Sequence, residues 1–89
     1  MPVVWIPSLM RNLTDGREQI EVDATNIGEL VAQLDARFPG FRARLCADNE
    51  DRIRPNIAVM IDGRTARKSM GEQVAEASEV HFLPAISGG

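Results

Sequence analysis

The sequence predicts an α+β domain in which one main helix covers one face of a mixed sheet of four or five strands. Three observations carry this. Residues 27 to 38 repeat apolar side chains at helical spacing. Runs rich in β-branched and aromatic residues open and close the chain, "VVWIPS" and "EVHFLP". Asp-Gly pairs at 15–16 and 62–63 sit beside strand-like runs, where a chain reversal needs them.

The elements follow in order. "VVWIPS" reads as a strand, and "LTDGREQIEV" as its return, with Asp15-Gly16 as the turn and Ile20 and Val22 alternating with Gln19, Glu21 and Asp23. The parity of the first strand stays open, because both of its faces are apolar. In "ATNIGELVAQLDARFPG" the residues Ile27, Leu30, Val31, Leu34 and Phe38 line one helix face. Thr25 or Asn26 caps its start, Asn26 with Glu29 suits a capping box, and Pro39-Gly40 ends it. "FRARLCAD" makes a helical turn or two with Phe41 and Leu45 on one side, and "NEDRIRP" is an exposed loop. "NIAVMIDGR" is a strand whose Ile57, Val59 and Ile61 share a face. "TARKSMGEQVAEAS" has no firm period, with Met70 and Val74 as its anchors, and "EVHFLP" is the last strand.

Length and composition narrow the function classes. The 89 residues fit one domain, and 44% apolar with 26% charged residues is ordinary globular composition. A net charge of −3 without a basic stripe argues against nucleic acid. Cys46 is the only cysteine, so no internal disulfide forms and a reducing compartment is expected. "MPVVWIPSLMRN" has neither a basic leader nor a small-residue cleavage site, and no apolar run reaches membrane-spanning length; a cytoplasmic protein with no membrane partner is expected.

No catalytic constellation emerges from the body of the chain. His81, the only histidine, has no thiol or second imidazole near it in sequence and reads as a surface or half-buried strand residue. Cys46 follows Leu45 on an amphipathic turn and reads as a packed thiol rather than a nucleophile. The acidic run Asp48, Asn49, Glu50, Asp51 lacks the glycine and the bidentate glutamate of a calcium loop. The glycines at 16, 28, 40, 63 and 71 form no phosphate-binding pattern. Neither a metal nor a cofactor is called for.

The sheet offers a different kind of site. If Ile57, Val59, Ile61, Val80 and Phe82 face the helix, alternation sends Ala58, Met60, His81 and Leu83 to the other side. With Val3 and Trp5 they would form an apolar patch suited to a partner. A loop or a second copy covering that face is the competing expectation.

The chain then finishes on "LPAISGG". This ending, together with the order of elements, resembles the MoaD/ThiS family of ubiquitin-like sulfur-carrier proteins. "IPSLMRNLTDGR" is similar to that family's first hairpin, "TNIGELVAQLDARFPG" to its helix and "EVHFLPAISGG" to its last strand and tail. The resemblance implies the β-grasp fold, with residues 1–83 as the domain and 84–89 as a flexible Gly-Gly tail. It also implies that the chain is a co-substrate and not an enzyme. Gly89 would be adenylated by an E1-like adenylyltransferase/sulfurtransferase of the MoeB/ThiF type and then converted to a thiocarboxylate.

Physical chemistry suits this tail to the role. An α-carboxylate with a pKa of about 3.3 to 3.7 is ionised at neutral pH and available as the nucleophile. Gly88 and Gly89 have no Cβ to block a narrow channel. Leu83 to Gly89 span at most about 23 to 25 Å when extended. Pro84 stiffens the root of the tail, and Ala85, Ile86 and Ser87 bring no charge into a partner's interior. The resemblance places Pro84 to Gly88 in the threading segment, and alternation along the sheet puts Leu83, Met60, His81 and Trp5 on the docking face.

Within the family, the hairpin and the "LP-A-x-x-GG" ending look most like the cysteine-biosynthesis carrier, whose sulfur goes to a PLP-dependent cysteine synthase. Carriers serving the molybdopterin synthase large subunit, thiazole synthesis or tRNA thiolation are the neighbours. Two other readings stand beside the carrier: a ubiquitin-like modifier conjugated through Gly89, and a β-grasp interaction module. Lys68 is the only lysine, so chains linked through several of its own lysines are unavailable.

Overall fold

In the computed structural model, which describes residues 1–46, 53–54 and 56–84, the chain opens with β1 (Val3–Trp5). Its antiparallel partner is β2 (Gln19–Glu21), with Val4 opposite Ile20. Asp15 at φ 55° and Gly16 at φ 84° make the expected reversal. The connection is longer than a tight hairpin, because a seven-residue 3-10 segment, Ser8–Thr14, fills it. This segment is held from inside. Met10 is buried, and the buried Thr14 hydroxyl donates to the Arg17 carbonyl at 2.9 Å, so its polar group is satisfied within the loop.

Helix α1 (Ile27–Arg37) forms where the periodicity places it, and Ile27, Leu30, Val31 and Leu34 are all fully buried. Asn26 is the cap: its side chain accepts the Glu29 N–H at 2.8 Å. The return half of the capping box departs from expectation. The Glu29 carboxylate accepts from Thr25, through the backbone N–H at 2.8 Å and the hydroxyl at 2.7 Å, not from Asn26. Thr25 offers two donors to one carboxylate where the Asn26 backbone offers one.

The helix stops at Phe38, and Gly40 at φ 105° redirects the chain into α2 (Phe41–Leu45). A left-handed angle of that size is open to glycine and strained for other residues. Phe41 and Leu45 are fully buried and Cys46 is 2% exposed, the packed thiol that the sequence predicts. The acidic run 48–51 lies outside the described residues.

After it, β3 (Ile57–Ile61) turns through Asp62 at φ 51° and Gly63 at φ 86° into the two-residue β4 (Arg64–Thr65). Two successive positive φ angles are what a type I′ hairpin turn requires. The segment without a period contributes β4, a short 3-10 turn at Ser69–Gly71 and the buried Val74, with Met70 packed against the core. The final strand, β5 (Glu79–Pro84), occupies the span expected.

The sheet order is β2-β1-β5-β3-β4, five strands with β5 in the centre, parallel to β1 and antiparallel to β3. The parity that the sequence left open is settled by burial: Val4 points to the core, while Val3 and Trp5 face outward. One core joins Val4, Val59, Ile61, Val80 and Phe82 of the sheet to the buried faces of α1 and α2. Among the described residues, no helix is long and apolar enough to cross a membrane.

Three carboxylates, the exposed Glu29 and Asp62 and the partly buried Glu72, tie loops to elements, and each is held below its ordinary pKa. For Asp62 the first cause is the Glu79 N–H, which donates to it at 2.9 Å, followed by the Ser78 side chain. For Glu29 it is the Thr25 N–H and then the Thr25 hydroxyl; for Glu72 it is the Lys68 N–H. A depressed folded-state pKa means that the unfolded chain binds protons first as pH falls. Their contribution is therefore complete above the ordinary carboxylate range, near 4, and is lost progressively below it. Urea midpoints measured from neutral pH down into that range are expected to fall. Asp62→Asn, which tolerates the positive φ, should flatten part of the decline; an unchanged slope would sever Asp62 from it.

Candidate functional site

The candidate site begins with the alternation of β5. Val80 and Phe82 enter the core, so His81 and Leu83 must face the other way. Register then sets their neighbours. His81 stands opposite Met60 on β3 and Trp5 on β1, and Met60 stands opposite Thr65 on β4, giving one row across the outer face. Leu83 stands opposite Ala58, two positions further along β5.

The side chains of this face hold one another. The Trp5 and His81 rings stack with centroids 5.3 Å apart and planes 6° from parallel. The Trp5 indole Nε1–H donates to Glu79 Oε1 at 3.0 Å, which fixes the ring along β5. Thr65 Oγ1 lies 3.4 Å from Met60 Sδ at the far end of the row. Stacking of this geometry leaves Trp5, His81 and Met60 half-buried, while Leu83 is 46% exposed. The face is thus preorganised, with its most accessible apolar side chain, Leu83, next to the chain's last described residue, Pro84.

Four residues assigned to the docking face by sequence (Trp5, Met60, His81 and Leu83) therefore share one surface. Pro84 is the last residue of β5, opposite Ile57, so the strand runs into the first residue that the sequence assigns to the tail. Ala85, Ile86, Ser87, Gly88 and Gly89 lie outside the described residues. Among the described residues, no group of three His, Cys, Asp or Glu side chains is placed to hold a metal ion.

Two features escaped sequence reasoning. Glu79 carries no functional signal in the sequence, and only the register brings it beside Trp5. The second is a groove of about 570 Å³ beside the end of β5, lined by Trp5, Met10, Arg11, Arg44, Phe82 and Leu83 among others. Its walls come from four separated stretches of chain, so no local pattern announces it.

Residues 4–89 match the ThiS family model. The chain belongs to the ThiS family. As a member of the ThiS family it is a ubiquitin-like sulfur carrier, a small carrier protein and not a catalyst. This ThiS-family chain is 25% identical to the sulfur carrier protein CysO of Mycobacterium tuberculosis over 89 residues, covering 97% of this chain and 96% of that one. Its fold is also that of CysO in the Amycolatopsis orientalis BexX/CysO complex, with a TM-score of 0.89 at 24% identity over the whole of both chains. Crystalline Mycobacterium tuberculosis CysO gives a TM-score of 0.91 at 20% identity, over 97% of this chain and 100% of that one. The β-grasp expectation, with its mixed sheet, thus holds for this ThiS-family chain.

Proposed function

We propose that this carrier works through Gly89. The Gly89 carboxylate attacks the α-phosphate of ATP in an E1-like adenylating enzyme of the MoeB/ThiF type, giving an acyl-adenylate and pyrophosphate. A sulfide donor then displaces AMP and leaves a C-terminal thiocarboxylate. The observation that carries this reading is the family match running through Gly89, in a chain whose central strand leads toward that residue past an ordered apolar face.

Each part has a physical task. Trp5, Met60, His81 and Leu83 form the surface on which the activating enzyme and then the sulfur acceptor dock. Pro84 to Gly88 thread the reacting group inward. Pairing of β5 with β3 as far as Pro84 keeps the root of that segment at a fixed place relative to the docking face.

Among destinations, cysteine synthesis has the most support, because a curated relative matched over nearly its full length is a CysO. The acceptor is then a PLP-dependent cysteine synthase.

The test is intact-mass measurement after incubation with the cognate adenylating enzyme, ATP and a sulfide source. The expected result is a gain equal to exchanging one oxygen for sulfur, and none for the chain lacking Gly89. Absence of the gain with every adenylating enzyme of the same genome would overturn the reading. Covalent attachment to lysines of other proteins would instead point to a modifier.

A further inference from the structure

The groove beside the end of β5 exists because β1 cannot continue. In the observed register the next positions of β1 would set Ile6 opposite Phe82 and Pro7 opposite Leu83. Pro7 has no N–H to extend the ladder, and the chain leaves the sheet there into the 3-10 segment at Ser8. The edge of β5 along Phe82 and Leu83 is left facing a space of about 570 Å³. Apolar side chains of Trp5, Met10, Phe82 and Leu83 line it together with two cations, Arg11 and Arg44, and among the described residues no acidic side chain lines it. Arg11 is engaged, its Nε–H on the Ile6 carbonyl at 3.3 Å and Nη1 3.7 Å from Glu18. Arg44 is exposed; its backbone N–H donates to the Gly40 carbonyl at 3.2 Å, and its guanidinium makes no hydrogen bond or ion pair with any described residue.

We propose that this groove is an intramolecular site for the chain's own last five residues, Ala85 to Gly89, with the Gly89 carboxylate held by the Arg44 guanidinium. The assignment rests on the carrier reading in one respect, that Gly89 bears the free carboxylate. Three properties select this occupant. Reach is sufficient: five residues span roughly 16 to 18 Å when extended, starting from Pro84, the residue after Leu83 of the groove wall. Charge is complementary, since the terminal carboxylate is the one ionic group between Ala85 and Gly89 and the groove offers cations without a competing acid among the described residues. Shape follows, because Ala85 and Ile86 suit the apolar wall, and Gly88-Gly89 accept the backbone angles of a return.

Tethering strengthens a weak site. A short flexible linker presents its end at an effective concentration on the order of millimolar, so an intrinsic affinity of that order already fills the groove about half the time. A carboxylate, and equally a thiocarboxylate of the same charge, is then withheld from partners for that fraction of time, and apparent affinity falls in proportion.

The test uses the isotopically labelled chain ending at Gly89, at neutral pH with neither enzyme nor ATP. NMR signals of the Trp5 indole N–H, the Met10 methyl and the Arg44 Nε–H are compared with those of a chain ending at Pro84. All three are expected to differ, and to stay constant over a wide range of protein concentration. Arg44→Glu, at an exposed position with no structural bond to lose, should move the Trp5 and Met10 signals more than halfway to their shortened-chain values. Coincident signals in the full and shortened chains would overturn the proposal. So would an unchanged difference in Arg44→Glu, or shifts that grow with concentration, which would mean that a second copy's tail is seated. Because nothing in this measurement is adenylated, its failure leaves the intact-mass result standing, and the reverse also holds.

Discussion

A Leu83→Asp variant is expected to be activated at least about 30-fold less efficiently than the parent, as kcat/KM for ATP-dependent AMP release, while unfolding at nearly the same urea concentration. The magnitude is that of losing a central apolar contact at an interface, about 2 kcal/mol or more. Leu83 is the most exposed apolar side chain of the outer face and stands opposite the small Ala58, so a carboxylate there is solvated in the free protein. The cost appears when a partner buries it. Met60→Asp should weaken activation in the same direction with some loss of stability, since Met60 is half-buried between Thr65 and His81. Equal activation of parent and Leu83→Asp, or unfolding of that variant, would remove Leu83 from the docking face.

Phe41→Ala is expected to cost about 3 to 5 kcal/mol, read as a lower urea midpoint at unchanged slope. Phe41 is fully buried at the first position of α2, where it joins the short helix to the core beneath α1. A domain of this size has a total stability of roughly 4 to 13 kcal/mol, so the variant keeps little margin at physiological temperature. Phe38→Ala serves as the control. Phe38 is half-buried at the end of α1 with the Arg37 guanidinium 5.4 Å over its ring, and should lose markedly less. Similar losses for the two variants would mean that α2 is not an integral part of the core.

The parts of this fold that were legible in the sequence are those whose signal is local. Helix α1 announces itself through Ile27, Leu30, Val31 and Leu34, because a 3.6-residue period needs no knowledge of what it packs against. The Asp62-Gly63 turn is equally plain, since few residue pairs accept two positive φ angles. The 3-10 segment Ser8–Thr14 was missed for the opposite reason: it is held by the burial of Met10 and by the Thr14 hydroxyl bond, both of which depend on the finished core. Similarly, the outer face followed from alternation along β3 and β5, but the stack of Trp5 on His81 required the parallel register of the first and last strands. Between residues 3 and 81 no local pattern reports that pairing.

That same pairing has a mechanical consequence. The two end strands of the described chain lie side by side and parallel, β1 next to β5. Tension applied at the end of β5 and opposed at the start of β1 acts along the strands, and the ladder of three residue pairs between them resists in shear, its bonds sharing the load, instead of opening one bond at a time as a zipper would. Antiparallel β3 grips the other flank of β5 over five residue pairs. An enzyme can draw on the terminus of such a protein without pulling the domain apart.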